Sequence, residues 1–294
     1  MKYTTLNSYL KERFGCKVYK VALDGGFTCP NRDGTLDTRG CIFCSAGGSG
    51  DFAEDRSLSI TEQIERGKAR VSAKTKDGKY IAYFQAFTNT YAPVDVLRAK
   101  YTEAISHPDI VALSIATRPD CLGDEVLELL YEMNRIKPVF VELGLQTIHE
   151  KTAEYIRRGY PLSCYDKAVE KLHDIGINVV THLIIGLPFE SKEDMLKSVE
   201  YVCRVTDGIK LQLLHILKGT DLVKEYENKK FEALTLEEYT DIIVDCVKII
   251  PDSVVIHRLT GDGAKRDLVA PLWSGDKKRV INTINKALSQ RVGN

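Results

Sequence analysis

The stretch Cys29-Pro-Asn-Arg-Asp-Gly-Thr-Leu-Asp-Thr-Arg-Gly-Cys41-Ile-Phe-Cys44 contains three of the eight cysteines of this chain. Turn-forming residues fill the spacer, so the loop can fold back around a bulky group. Structural zinc sites and electron-transfer clusters normally have four protein ligands, whereas three thiolates on a four-iron cube leave one iron open to a non-protein ligand. We therefore predict that Cys29, Cys41 and Cys44 bind one catalytic iron–sulfur cluster within the loop 29–44.

The pair Cys41 and Cys44 has two alternative interpretations, a redox dithiol or half of a zinc site. Against both, the downstream sequence contains no second Cys-x-x-Cys and no paired-histidine signature. The other five cysteines have no ligand-like spacing, and we expect them to be buried or boundary thiols: Cys16, Cys121, Cys164, Cys203 and Cys246. We therefore expect no second cluster.

Composition limits the class of protein. The chain has 294 residues with 44% hydrophobic content, enough to bury a large core as one α/β unit or one and a half domains. Lys+Arg and Asp+Glu are equal at 41 each, so the chain as a whole does not attract nucleic acid, although a local basic face could bind RNA. No apolar stretch approaches the roughly 20 residues that cross a bilayer, and the N-terminus lacks the apolar core of a secretion signal. We expect a cytoplasmic protein that binds neither membranes nor DNA.

Short apolar runs alternate with amphipathic helical patterns along most of the chain. The predicted strands are residues 18–23, 79–85, 110–115, 139–145, 178–185 and 210–217, and the predicted helices are 59–74, 93–106, 124–135 (Asp124 as N-cap), 149–157, 163–175 and 191–205. This alternation indicates a parallel sheet with right-handed crossovers. An open doubly wound sheet is the alternative. Polar or turn residues follow most strands, which favours an α/β partial (β/α)6 TIM-like barrel with its active site at those strand ends.

The last quarter of the chain has a different pattern. We predict a helix at 235–250 with a capping box from Thr235 to Glu238, a strand at 253–258, a glycine-broken charged loop at 259–267 and a final helix at 277–290. We divide the chain into a barrel, residues 1–220, and a small α/β extension, residues 221–294. The extension is expected to close the barrel and is a candidate for substrate contact.

Four ordered motifs resemble the radical S-adenosylmethionine (SAM) superfamily. They are the three-cysteine loop, Ala116-Thr-Arg-Pro-Asp120, Val141-Glu-Leu-Gly-Leu-Gln146 followed by Arg157-Arg-Gly-Tyr160, and His182-Leu-Ile-Ile-Gly-Leu-Pro188. The most similar branch groups the elongator catalytic subunit with the oxygen-independent coproporphyrinogen oxidase. Within that branch the whole chain resembles the YhcC/YtqA type, including His257-Arg-Leu-Thr-Gly-Asp-Gly263 and Ala270-Pro-Leu-Trp-Ser274.

The resemblance implies a mechanism and a set of cofactor contacts. SAM chelates the open iron of a [4Fe–4S] cluster, an electron from a donor such as flavodoxin or ferredoxin cleaves it, and a 5′-deoxyadenosyl radical abstracts hydrogen from the substrate. By motif, Gln146 and Arg158 would hold the methionyl carboxylate. His182 would contact the ribose, with Thr117 nearby, and Gly186 would allow the backbone to approach the adenine.

Alternatives remain for several of these residues. His182 could be a satisfied core histidine, and Arg157 an ordinary charge at a helix C-terminus. Many relatives have a glycine-rich turn after the second strand, whereas this chain has Phe84-Gln-Ala-Phe-Thr-Asn-Thr90. There the amino group of SAM could bind backbone carbonyls with help from Thr88 and Thr90, and Gln85 is either a cofactor contact or a plain sheet residue.

Two classes of function remain open. The resemblance implies an enzyme of transfer-RNA (tRNA) wobble-uridine maturation, which would convert a 5-carboxymethylaminomethyl group toward 5-aminomethyl. The alternative is a radical SAM oxidoreductase or lyase that acts on a small metabolite, which the neutral net charge favours. Candidate phosphate contacts are Arg157, Lys265, Arg266, Lys277, Lys278 and Arg279. Asp262 could belong to a functional loop, and Trp273 either packs the C-terminal segment or stacks on a base.

Overall fold

A computed structural model describes residues 3–71, 78–261, 263 and 265–291. Its main element is a parallel sheet of seven strands that curls into a half-barrel. In spatial order these strands are β1 (Val18–Leu23), β2 (Lys79–Phe84), β3 (Ile110–Thr117), β4 (Val139–Gln146), β5 (Asn178–Ile185), β6 (Gly208–Leu213) and β8 (Val255–Arg258). The short strands β7 (Ile216–Leu217) and β9 (Leu268–Ala270) form a separate antiparallel pair.

Helices connect the strands and cover the sheet. They are α1 (Leu6–Phe14), α2 (Ile60–Val71), α3 (Val94–Ser106), α4 (Asp124–Ile136), α5 (Glu150–Tyr155), α6 (Leu162–Asp174), α7 (Lys192–Val202), α8 (Asp221–Glu227), α9 (Leu236–Ile249) and α10 (Lys277–Arg291). Capping boxes begin three of them, because Thr5, Ser191 and Thr235 each accept a hydrogen bond from the backbone N–H three residues on.

The predicted barrel is confirmed, with one strand more than expected. Residues 210–217 do not form a single strand, since β6 ends at Leu213 and Ile216 pairs with Ala270. The strand predicted at 253–258 lies beside β6 as the seventh strand of the main sheet. The prediction of Asp124 as an N-cap was wrong, because Gly123 occupies the cap position without a side-chain hydrogen bond. The predicted end of the helix at 72–74 lies outside the described residues.

The main hydrophobic core includes the C-terminal helices as well as the sheet. Tyr239 of α9 and Ile284 of α10 belong to the same buried cluster as Leu113 of β3 and Val141 of β4. Burial of such side chains contributes about 1.5–3 kcal/mol each. Residues on both sides of position 220 therefore stabilise one core.

The two edge strands of the half-barrel are β1 and β8. The N-terminal segment lies beside β8, where the Ile256 N–H donates to the Thr4 carbonyl at 2.8 Å and Thr5 forms a parallel bridge with Ile256. From there α1 contacts both edge strands. None of the helices in the described ranges is long and apolar enough to cross a bilayer.

Candidate active site

The residues predicted for cofactor binding gather on one side of the half-barrel. Nine of them line one cavity: Cys29, Cys41, Cys44, Gln85, Thr88, Thr117, Gln146, Arg158 and His182. Gly186 does not line it. A left-handed backbone at Gly186 (φ +92°) and the Leu234 side chain, only 2.9 Å from where a Cβ would stand, account for that glycine by local packing.

The cysteine loop is folded by backbone hydrogen bonds and anchored to the segment after α5. The Gly40 N–H donates to the Asn31 carbonyl at 2.7 Å, and the Cys44 N–H donates to the Cys41 carbonyl at 3.0 Å. The Asn31 amide donates to the Arg157 carbonyl at 2.7 Å and also to the Cys41 sulfur at 3.4 Å. Hydrogen bonds to cluster sulfurs tune the potential of iron–sulfur sites, so Asn31 is a residue that the sequence analysis missed.

The charges around the thiols fit a cationic group. Burial, with the neighbouring Cys44 and Cys29 as smaller contributors, raises the pKa of Cys41 to about 12 against the opposing charge of Arg118. Burial also raises the pKa of Cys44. Three neighbouring thiols that repel one another when ionised form a donor set that a bound cation would stabilise, because metal ligation deprotonates thiols.

The three thiols of the loop line one cavity. Within residues 3–71, 78–261, 263 and 265–291, no three His, Cys, Asp or Glu side chains converge to hold one metal ion. A four-iron cube binds each thiolate at a different iron, so its ligands surround a shared space and do not converge on one point. The placement of the loop cysteines around one cavity is compatible with that requirement.

Gln146 has an unusual backbone at the end of β4. Its φ is +67°, in the left-handed region, and the register between β4 and β5 shifts at this point. Such a conformation is costly for a residue with a side chain, and residues of this kind concentrate at ligand sites. The strain supports the prediction that Gln146 contacts a ligand.

Arg158 is almost completely buried, and protein atoms use most of its donors. Its guanidinium donates to the carbonyls of Tyr160 at 2.9 Å and Thr147 at 2.6 Å, and it forms an ion pair with Glu150 at 3.1 Å. It also lies 4.8 Å from the Tyr160 ring. Arg158 therefore holds the segment directly after Gln146, a role the sequence analysis did not foresee.

In the segment after β2, where many relatives have glycine, a phenylalanine adopts the left-handed backbone conformation. Phe87 has a φ of +61°, and its N–H donates to the Gly48 carbonyl at 2.8 Å. The turn leaves Thr88 buried against the cavity. The Gln85 amide donates to the Ser49 carbonyl at 2.8 Å, which ties β2 to the cysteine loop region.

His182 has a partner on each ring nitrogen. Nε2 lies 2.7 Å from a Glu142 carboxylate oxygen, and Nδ1 lies 3.3 Å from the Gln212 amide. Burial and the nearby Lys210 together lower the pKa of His182 to about 4, despite the Glu142 carboxylate. The histidine is therefore neutral at pH 7, with its orientation set by Glu142.

A buried charge cluster in the barrel was not among the predicted site residues. Glu142 of β4 is fully buried and binds Lys20 of β1 at 2.5 Å, Ser114 of β3 at 2.5 Å and Lys210 of β6. These ammonium groups hold the pKa of Glu142 well below its usual range, even though burial raises it. Charged residues inside otherwise apolar strands were the available signal, because a buried charge requires a partner or a function.

Among the candidates for RNA contact, some side chains are occupied by contacts within the protein and others are exposed. Trp273 packs inward, with its indole N–H donating to the Leu234 carbonyl at 2.9 Å and its ring 5.7 Å from that of Tyr239, which supports the packing interpretation. Arg157, just after α5, pairs with Asp221 at 2.8 Å. The remaining basic residues of the set are exposed: Lys265, Arg266, Lys277, Lys278 and Arg279. Asp262 lies outside the described residues.

A second and larger cavity lies between the edge strands β1 and β8. Its volume is about 800 Å³, and it shares Tyr83, Gln85, Lys210 and Arg258 with the cysteine-lined cavity. The two cavities therefore meet along one wall. The shared side chains place the larger cavity next to the cysteine-lined one.

Comparison with known proteins agrees with this geometry. Residues 38–202 match the Radical SAM superfamily and residues 206–290 match the Radical SAM C-terminal domain. The chain is 50% identical to YtqA of Bacillus subtilis over 291 residues, covering 99% of this chain and 90% of that protein. It is 42% identical to YhcC of Escherichia coli, covering 96% and 90%.

More distant similarities extend the comparison. The chain is 30% identical over 167 residues to a tRNA uridine(34) acetyltransferase of Methanocaldococcus jannaschii, covering 55% of this chain and 30% of that protein. The structure of Elp3 from Methanocaldococcus infernus shares the fold with a TM-score of 0.68 at 19% identity, covering 92% of this chain and 63% of that one. The coproporphyrinogen III oxidase HemN of Escherichia coli aligns with a TM-score of 0.54 at 12% identity, covering 84% and 56%.

Proposed function

The chain belongs to the radical S-adenosylmethionine superfamily, and we propose that it acts on the wobble uridine of tRNA, converting a 5-carboxymethylaminomethyl side chain toward 5-aminomethyl. It is a radical SAM enzyme whose cofactors are a [4Fe–4S] cluster and SAM. Together these cofactors supply a carbon-centred radical that removes hydrogen from a substrate. The protein must bind both, position the substrate and exclude water.

We assign the cofactor contacts to the cysteine-lined cavity. Cys29, Cys41 and Cys44 would hold the cluster, with Asn31 orienting Cys41 by its hydrogen bond to the sulfur. Gln146 presents its side chain from a strained backbone, and Arg158 holds the next residue, Thr147, by a hydrogen bond to its carbonyl. Thr88, Thr117 and Gln85 line the cavity on the side of β2 and β3.

The observation that carries the choice of tRNA is the similarity to the tRNA uridine(34) acetyltransferase. Its 167 aligned residues are 55% of this chain, so the likeness is not confined to one short motif. The exposed basic residues of the C-terminal part could supply phosphate contacts in a chain that is neutral overall. A flavodoxin or ferredoxin would be the electron donor.

The test is mass spectrometry of tRNA nucleosides from cells that lack the gene. We expect the 5-carboxymethylaminomethyl nucleoside to accumulate and the 5-aminomethyl nucleoside to fall, with recovery when the wild-type gene is restored. A gene in which the three loop cysteines are replaced by alanine should not restore the profile. An unchanged nucleoside profile in the deletion strain would contradict the proposal and favour a small-metabolite substrate.

A further inference from the structure

Most of the charged residues that line the larger cavity are basic. Among the described residues that line it, one is acidic, Glu54, and six are basic: Lys17, Lys20, Arg70, Lys210, Arg258 and Lys277. Glu54 already pairs with Arg70 at 2.9 Å. A concave site with one sign of charge concentrates ligands of the opposite sign. In a chain with 41 residues of each sign, this lining indicates an anionic ligand.

Two of these basic residues lie at the wall that the two cavities share. Lys210 lines both cavities, and Lys20 lines the larger one. Both ammonium groups bind the single carboxylate of Glu142, and both lie over the Tyr83 ring, with the nitrogen atoms 4.8 Å (Lys20) and 4.6 Å (Lys210) from its centroid. Because His182 is neutral, Glu142 offers one negative charge to two ammonium groups whenever Lys210 is protonated.

The hydrogen bonds of these lysines leave room for another acceptor. An ammonium group has three N–H donors. Lys20 donates to Glu142 and to the Ser114 hydroxyl at 3.3 Å, and Lys210 donates to Glu142 and to the Tyr83 hydroxyl at 3.1 Å. In the described part of the chain, each lysine therefore retains one N–H without a protein acceptor.

We propose that Lys20 and Lys210 form a subsite that binds the carboxylate of the substrate at the junction of the two cavities. One incoming carboxylate balances the excess positive charge of the cluster and accepts the remaining N–H donors. Glu142 and Tyr83 hold the two ammonium groups in place, so the subsite is organised before the ligand arrives. The inference rests on the proposed function, since the 5-carboxymethylaminomethyl group carries a carboxylate that the unmodified uridine lacks.

The low pKa of Lys210 supports this role. Burial lowers the pKa of Lys210 to about 7, against the opposing effect of Glu142, and Lys20 contributes to the decrease. A second carboxylate beside Lys210 would favour its charged form. The lysine and the substrate carboxylate would therefore stabilise each other in their ionised forms.

The test compares two RNAs that differ only at the wobble base. The probes are an anticodon stem-loop with 5-carboxymethylaminomethyluridine and the same stem-loop with uridine, bound to anaerobically reconstituted holoenzyme in the presence of SAM. The phosphates are identical, so the ratio of the two dissociation constants isolates the side chain. We expect the wild-type protein to prefer the modified RNA. The Lys210→Met variant should lose about 10-fold to 100-fold of that preference, as for a hydrogen bond to a charged group.

Two further variants make the result interpretable. Lys20→Met should lower the same ratio, and Lys11→Met removes an exposed lysine of α1 and should leave it unchanged. In either subsite variant, Glu142 still binds the Ser114 hydroxyl, His182 and the remaining lysine. An unchanged affinity for SAM would show that the cofactor site is intact.

The outcomes separate the inference from the function on which it rests. If the wild-type enzyme converts the modified RNA but Lys210→Met keeps the full preference, the subsite is wrong and the function stands. Equal weakening of both RNAs by Lys210→Met would also overturn the subsite. If the wild-type enzyme neither prefers nor converts the modified RNA, the proposed function fails and the subsite fails with it.

Discussion

Replacing Glu142 with glutamine should destabilise the protein by about 3 kcal/mol at pH 7, because breaking a buried ion pair from one side costs about 3–5 kcal/mol. Glutamine keeps the shape of the side chain but removes the charge that holds Lys20 and Lys210. The lower end of the range applies because Lys210 can lose its proton, since burial already lowers its pKa to about 7. A neutral amine needs no counter-charge.

The effect should depend on pH in a defined direction. Without the carboxylate, the pKa of Lys210 in the folded variant falls below its value in the wild-type protein. The folded wild type then binds more protons than the folded variant near neutral pH, so the difference in stability decreases as pH rises. We expect a larger deficit at pH 6 than at pH 8.5.

Urea unfolding followed by far-ultraviolet circular dichroism measures the deficit. The matched control is Glu132→Gln, which removes a half-exposed carboxylate paired with Arg98 and should cost less than about 1 kcal/mol. Adding Lys210→Met to Glu142→Gln should recover part of the loss, because the unpaired ammonium is then gone. If Glu142→Gln costs no more than the control, the reasoning about the buried cluster is refuted.

Three other predictions concern the site. Wild-type protein reconstituted without oxygen should hold about four irons per chain, as measured by iron analysis and absorbance. Replacing the three loop cysteines by alanine should abolish iron binding. The control variant Cys203→Ala should bind iron as the wild type does. Arg158→Ala should lower the free energy of unfolding by about 3 kcal/mol, since buried carbonyls lose their donors. The control Arg157→Ala should lower it by less. Equal losses would contradict the role of Arg158 in holding the segment after β4. The pKa of His182 is lowered to about 4 from the ordinary 6.5. The free energy of unfolding should therefore fall by up to about 3 kcal/mol as the pH is lowered from 6.5 to 4. His182→Gln should lack this pH-dependent loss, and the same loss in the wild type and the variant would count against a neutral buried histidine.

The strands could be predicted from the sequence, but their partners could not. The apolar run 210–217 contains two strands because Ile216 pairs with Ala270, more than 50 residues away. The residues around Ile216 in the sequence do not indicate that partner. The strand Val255–Arg258 was recognised as a strand, yet its position beside β6 depends on contacts across the half-barrel. Short-range patterns indicate which residues are extended, and the sheet order comes from long-range packing.

The candidate site shows the same division. The cysteine spacing predicted that the three thiols bind one cluster, and the candidate cofactor residues other than Gly186 line the same cavity as those thiols. The sequence did not reveal that Arg158 is occupied by carbonyls of its own loop, because those bonds depend on the turn after β4. Lys20 and Glu142 are separated by 122 residues, so their pairing is visible only once the barrel closes.

The most direct test of the central claim is transfer of deuterium from the modified base to the cofactor. Holoenzyme, a chemical reductant, SAM and tRNA whose 5-carboxymethylaminomethyl group carries deuterium should yield 5′-deoxyadenosine that contains deuterium, together with 5-aminomethyluridine in the RNA. Mass spectrometry measures both products, and tRNA with unmodified uridine is the control. Unlabelled 5′-deoxyadenosine at the same rate with and without the modified tRNA would contradict the claim that this enzyme acts on the wobble uridine.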